Sequence, residues 1–234
     1  MLTFIKKSSQ IIINEKVLIM KGERKVSGTF IAFDGLPGSG KGTQIKKAFG
    51  YIFDKSKKYD NILVTDEPTN GPYGLKVREL FKKQKNVNDL KEEIFQTFID
   101  DRAWHIENVI LPALEKDFVV LCDRYKYSSI AYQTVQGTNF EKVFAAHKDF
   151  LAPDLALIFD VSPEEGFKRI HSADDEKRVQ SDNFRELDFI KSIRTYFLDL
   201  PNKLPNENIK IIDANKSIGD VFSQIKVQLD TSLH

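Results

Sequence analysis

The chain of 234 residues has a single cysteine, Cys122, which excludes an internal disulfide and a cysteine-based metal site. Cys122 lies in the apolar run 118–122 and reads as core filling. A surplus of charge is missing too: 35 Lys and Arg stand against 34 Asp and Glu, a net charge of +1. Such a balance provides no long-range field for steering nucleic acid or an anionic membrane surface. No stretch approaches the roughly 18 consecutive apolar residues of a membrane span. The N-terminus also lacks the apolar core of a secretory signal. These absences point to a soluble, cytoplasmic protein with neither nucleic acid nor membrane as partner. The remainder is ordinary globular composition, 41% hydrophobic and 29% charged, on a chain long enough for one α/β domain with a substantial core.

One stretch organises the rest. The β-prone run Phe30-Ile31-Ala32-Phe33-Asp34 leads into Gly35-Leu36-Pro37-Gly38-Ser39-Gly40-Lys41-Gly42-Thr43-Gln44. The spacing from Gly35 to Gly40-Lys41 is that of a phosphate-binding P-loop. Glycines let backbone N–H groups turn inward without a Cβ in the way. The helix that follows adds its positive end, and Lys41 adds a full charge. Gly42 stands where such loops usually carry a Ser or Thr that ligates Mg²⁺. Thr43, one place later, is the candidate hydroxyl ligand, with the metal held mainly by water and phosphates.

From position 29 onward strand and helix patterns alternate. Strands are expected over 29–34, 61–65, 118–122, 155–160 and 209–212. Helices are expected near 41–55, 75–83, 87–114, 128–136, 139–150, 163–171 and 184–200, with a last one from Ser217. This alternation predicts a doubly wound, mainly parallel five-stranded sheet with flanking helices. Ligands of such sheets bind beyond the carboxyl ends of the strands. The P-loop, the turn-rich segment 66–74 and Asp123-Arg124 all fall there. With no internal repeat and no linker, 28–234 reads as a single domain. Residues 1–27 form an N-terminal extension in which Ile11-Ile12-Ile13 and Val17-Leu18-Ile19, around Asn14-Glu15-Lys16, read as a β-hairpin.

Four further segments resemble the thymidylate kinase family of P-loop nucleoside monophosphate kinases. They are Val119-Val120-Leu121-Cys122-Asp123-Arg124-Tyr125 with Ser128, Tyr132 and Gln133; Thr65-Asp66-Glu67-Pro68-Thr69 with Val77-Arg78-Glu79-Leu80; Phe98 to Arg102 within 95–106; and Ile211-Ile212-Asp213-Ala214-Asn215-Lys216-Ser217. The resemblance spans about residues 28–225. It implies a P-loop NTPase-type fold with a lid over 168–185, ATP on Gly35 to Thr43, dTMP as acceptor, Mg²⁺ as cofactor, and a homodimer. It also implies roles. Arg124 and Arg78 hold the acceptor phosphate, and Asp123 organises the metal. Phe98 stacks on the pyrimidine while Arg102, one helical turn on, donates to a base carbonyl. Glu67, Pro68, Ser128, Tyr132 and Gln133 complete the acceptor site.

Alternatives stand beside several of these roles. Arg124 could form a salt bridge with Asp66 or Glu67, and Asp123 could be a helix cap. Phe98 could belong to an apolar core stripe with Phe95 and Ile106. Because the loop from Leu36 to Ser39 carries no Arg, the transferring phosphoryl group calls for a lid cation, Arg178 before Arg169. Pro37 occupies a position where the family has an acidic residue facing the sugar, which bears on acceptor selectivity. Three functions fit: transfer of phosphoryl from Mg-ATP to dTMP, a kinase for UMP, dUMP or CMP, and a non-catalytic P-loop binding module.

Overall fold

The structure, a computed structural model, describes residues 26–55, 59–83, 90–172 and 187–233. Five parallel strands form one sheet in the order β2-β3-β1-β4-β5: β1 Thr29–Gly35, β2 Ile62–Asp66, β3 Val119–Asp123, β4 Leu155–Asp160 and β5 Ile209–Asp213. The three central strands are apolar along almost their whole length and buried on both faces, as parallel strands under helices must be. The registers Phe33↔Asp123 and Asp66↔Asp123 align three strand ends at one edge, so the P-loop, Asp123-Arg124 and the segment after β2 share that edge.

Helices cover the faces: α1 Lys41–Lys55, α2 Pro72–Lys83, α3 Lys91–His105, α4 Lys126–Val135, α5 Phe140–His147, α6 Pro163–Ser172, α7 Leu187–Lys203 and α8 Ile218–Ser232. Among the described residues, three begin at a side-chain cap from the residue just before them; for α6, Ser162 accepts from the Glu165 N–H at 3.3 Å. Asn139 accepts from the Lys142 N–H at 3.1 Å, and Ser217 from the Asp220 N–H at 3.2 Å.

The expected boundaries need three corrections. Helix α2 starts at Pro72 rather than near residue 75, since proline suits a first helical turn, where its missing N–H has no partner to lose. Helix α4 starts at Lys126, two residues before the expected 128. The helix expected over 87–114 is described from Lys91. It runs to His105, widens into a π-turn over Ile106–Ile110 and closes with Leu111–Leu114, which contains Pro112. Proline removes a helical donor and crowds the preceding turn, a local cause for that widening. The expected hairpin at residues 11–19 lies outside the described residues, as do Arg178 and most of the expected lid.

Candidate active site

At the carboxyl end of β1 the chain turns through Gly35, whose φ is 138°; a Cβ there would meet the Phe159 carbonyl at 2.6 Å. Gly38 has a φ of 72° and packs on α6, where a Cβ would lie 2.2 Å from the Gly166 carbonyl. Both backbones are therefore open only to glycine. The loop wraps Lys41, whose Nζ donates to the Gly35 carbonyl at 3.2 Å, to that of Leu36 at 2.9 Å and to the Ser39 hydroxyl at 3.4 Å. Burial, with the charge of Arg124 behind it, lowers the Lys41 pKa to about 8. Thr43 is exposed on the first turn of α1.

Arg124 follows β3 in the left-handed backbone region, with φ 68°. Strain of this kind costs on the order of 1–3 kcal/mol and persists where surrounding contacts enforce it. Here the Arg124 N–H donates to the Phe33 carbonyl at 2.8 Å. Asp34 completes the clamp. Its fully buried carboxylate accepts from the Tyr125 and Ser128 N–H groups, each at 3.0 Å, from the Ser128 hydroxyl at 2.5 Å and from the Gly35 N–H at 3.0 Å. Helix α4 thus receives its N-terminal cap from β1, across the sheet. Burial raises the Asp34 pKa; the Ser128 hydrogen bond and the Arg124 charge oppose that rise.

The Arg124 guanidinium lies over the Tyr132 ring, 5.5 Å from its centroid, and Nη1 donates to Ser128 Oγ at 3.3 Å and Tyr132 Oη at 3.4 Å. The alternative bridge to Asp66 or Glu67 does not form. Among the described residues Lys41 and Arg124 have no carboxylate ion pair, yet each charge acts on common neighbours, Asp34 and Asp123. Two neighbouring cations in this state, one buried and one half-buried, form an anion site. Asp123 adds a buried oxygen, Oδ1, without a hydrogen-bond partner among the described residues. Such an oxygen suits a metal-bound water or a divalent cation, so the donor set fits Mg²⁺.

The segment after β2 is fixed from two sides. Asp101 of α3 accepts from the Thr69 N–H at 2.8 Å and its hydroxyl at 2.5 Å. Arg78 donates to the carbonyls of Pro68, at 2.5 Å, and Thr69, and pairs with Asp66 at 3.5 Å. Arg78 is therefore engaged with this loop rather than loosely solvated. Phe98 is half-buried, with its ring edge-on to Phe81 at 6.1 Å, whereas Phe95 and Ile106 are in the core. The proposed apolar stripe thus holds for those two and leaves Phe98 at its margin. Arg169 donates to Glu165 at 2.8 Å and to the Ala214 carbonyl at 3.0 Å.

Arg102 is 1% exposed and stands at the centre of a polar network. It donates to Glu67 Oε2 from Nε at 3.0 Å and Nη2 at 2.5 Å, to Ser129 Oγ at 3.0 Å, and to His147 Nδ1 at 3.2 Å. Four of its five N–H groups are thereby used, leaving one on Nη1. The other Glu67 oxygen meets His105 Nδ1 at 3.0 Å, and His105 Nε2 meets the Thr65 hydroxyl at 2.8 Å. Burial alone would raise the Glu67 pKa; the Arg102 charge and the His105 hydrogen bond outweigh it and hold the pKa below its ordinary value. Gln133 reaches the network through His147. Asp34, His105 and His147 were not among the candidates from sequence. The one signal for Asp34 was its place between an apolar strand and a P-loop glycine, and the two histidines gave none.

The family model for thymidylate kinase matches residues 33–225. A thymidylate kinase of Desulfotalea psychrophila is 35% identical over 202 residues, covering 86% of this chain and 94% of that protein. One from Finegoldia magna is 38% identical over 205 residues, covering 83% and 94% respectively. Among solved structures, the crystal structure of thymidylate kinase from Ehrlichia chaffeensis aligns with a TM-score of 0.65 and 27% identity, over 87% of this chain and 99% of that one.

Proposed function

The chain belongs to the thymidylate kinase family, and from that membership we propose that it transfers the γ-phosphoryl group of Mg-ATP to dTMP, releasing ADP and dTDP. The observation that carries this is the pair of cations, buried Lys41 and half-buried Arg124, sharing one strand edge without a carboxylate ion pair among the described residues. Joining two polyanions end to end requires separate cations on donor and acceptor.

In this proposal the loop from Gly35 to Thr43 binds the ATP phosphates, and Lys41 exchanges its loop carbonyls for phosphoryl oxygens. Arg124 and Arg78 hold the dTMP phosphate. Its oxygen, already anionic at neutral pH, forms the new bond to phosphorus as the bond to the ADP oxygen breaks, so no general base is needed. Asp123, through water, and Thr43 would hold Mg²⁺, which when bound neutralises charge on the phosphates. Phe98 stacks on the base, the remaining Arg102 N–H and Gln133 meet its edge, and Glu67, Pro68, Ser128 and Tyr132 support them. Arg178, in the lid, is assigned to the transferring group. Arg169 ranks behind it, because its guanidinium is committed to Glu165 and Ala214.

Two further parts belong to the proposal. One is a homodimer, supported by the exposed aromatic pair on α1. The other is a cytoplasmic location, consistent with the finding that no described helix is long and apolar enough to cross a membrane.

An ADP-release assay across dTMP, dUMP, UMP, CMP, AMP and GMP tests the function. The highest kcat/KM should fall on dTMP. ATP binding without transfer to any monophosphate would sink the proposal.

A further inference from the structure

The Arg102 network ends on an unsatisfied donor. Gln133, on α4, is 3% exposed, and its Nε2 has no hydrogen-bond partner among the described residues. A buried polar group left in this state costs about 1–3 kcal/mol, so its persistence calls for a ligand that satisfies it. The other end of the amide, Oε1, lies 3.3 Å from His147 Nε2. His147 closes α5 and is fully buried, edge-on to Phe95 at 6.0 Å and stacked on Phe150 at 5.9 Å.

The proton positions along this chain follow from chemistry. A guanidinium can only donate. His147 Nδ1, 3.2 Å from Arg102 Nη1, must therefore accept, which puts the single proton of the neutral imidazole on Nε2. That N–H donates in turn, so the Gln133 atom facing it must be the carbonyl oxygen. The NH₂ group is then turned away from His147. A second proton on the ring would set Nδ1–H against an arginine N–H. Burial, with the Arg102 and Lys126 charges, holds the His147 pKa well below its ordinary value and keeps the ring neutral.

Resting on the dTMP kinase reading above, we propose that His147 is a positioning residue for the acceptor site. It fixes the Gln133 amide so that only its hydrogens face the nucleobase, where they donate to a pyrimidine carbonyl oxygen. The relay runs from the Glu67 carboxylate through Arg102 and His147, so the arginine assigned to the base edge also sets its neighbour's amide. Without His147 the amide could turn over and present its oxygen to a base carbonyl, which repels it.

The test uses the full chain and two analogues, 2-thio-dTMP and 4-thio-dTMP, whose sulfur is a poor hydrogen-bond acceptor. In the wild type, one of the two analogues should lose about tenfold in kcat/KM relative to dTMP. His147→Phe keeps the aromatic packing but can neither accept nor donate. It should raise KM for dTMP about tenfold, leave kcat and KM for ATP within about twofold, and shrink that analogue's penalty about fivefold. His147→Gln can accept from Arg102 and donate to Gln133, and should restore both values. A residue that only packs would lower the melting temperature and leave the thio penalties unchanged, and that result would overturn the proposal. If His147→Phe fails to fold, long-range ¹H–¹⁵N spectra of the wild type decide. A bare Nδ1 and a protonated Nε2 between about pH 6 and 8 are expected, and the opposite tautomer or a doubly protonated ring overturns the relay. A wild type inert towards dTMP removes the parent function and the selection claim with it, whereas an active enzyme with the wrong tautomer overturns the relay alone.

Discussion

Asp34 accepts four hydrogen bonds from two separate pieces of chain, and three of them come from the turn and helix that carry Arg124. Asparagine at this position keeps the shape but turns one oxygen into a donor facing other donors. Asp34→Asn should therefore cost about 2–4 kcal/mol of folding stability, read by denaturant unfolding. It should also reduce kcat/KM for dTMP by about a hundredfold or more, because the left-handed backbone at Arg124 loses its restraint. Unchanged dTMP kinetics in a folded variant would remove Asp34 from the site. Lys41 sets a different expectation. With its pKa lowered to about 8, the ammonium is charged below that pH and loses its charge above it. Since kcat/KM for ATP reports the free enzyme, it should fall above about pH 8. Lys41→Arg keeps its charge throughout, so its profile, at whatever amplitude, should stay flat through that range.

Elements meet at close quarters around the P-loop, and Gly38 is where the fit is tightest. A methyl group at Gly38 would press into the Gly166 carbonyl of α6 and sit on a backbone that disfavours side chains. Gly38→Ala should weaken ATP binding at least about tenfold, measured by calorimetry, and lower stability by about 1–3 kcal/mol. Most elements here were legible in the sequence, because their signals are local: apolar runs for strands, Asn139 and Ser217 for helix starts, glycine spacing for the loop. Less legible was the widened turn before Pro112, because a proline marks a disturbance in a helix without saying what form it takes. The site divides in the same way. Lys41, Arg124 and Asp123 announce themselves by motif. His147 does not, because a histidine at the end of a short helix carries no mark of a partner 45 positions away, Arg102. The cap that Asp34 gives α4 spans 94 positions to Ser128 and is hidden for the same reason.

The strand order puts the P-loop strand at the centre of the sheet, Arg124 on its neighbour and β2 at the rim. That arrangement brings the two phosphate sites together, and apolar side chains remain in water on α1 and on the edge strand. Phe49 and Phe53, 40% and 53% exposed on α1, stack with centroids 6.3 Å apart and planes 4° from parallel. Val64 on the edge strand β2 is 48% exposed. Large aromatics are seldom spent on solvent in pairs, and at a two-fold interface the same residues from each copy meet, so one helix could cover its own counterpart. If α1 forms the core of the homodimer, two glutamates there would bury like charges against each other. Phe49→Glu with Phe53→Glu should give a monomer by sedimentation equilibrium, with unfolding stability within about 1 kcal/mol of a monomeric reference, since exposed substitutions perturb a fold little. A wild type that sediments as a monomer at micromolar concentration would end the dimer proposal. A dimer that survives both glutamates would move the interface away from α1.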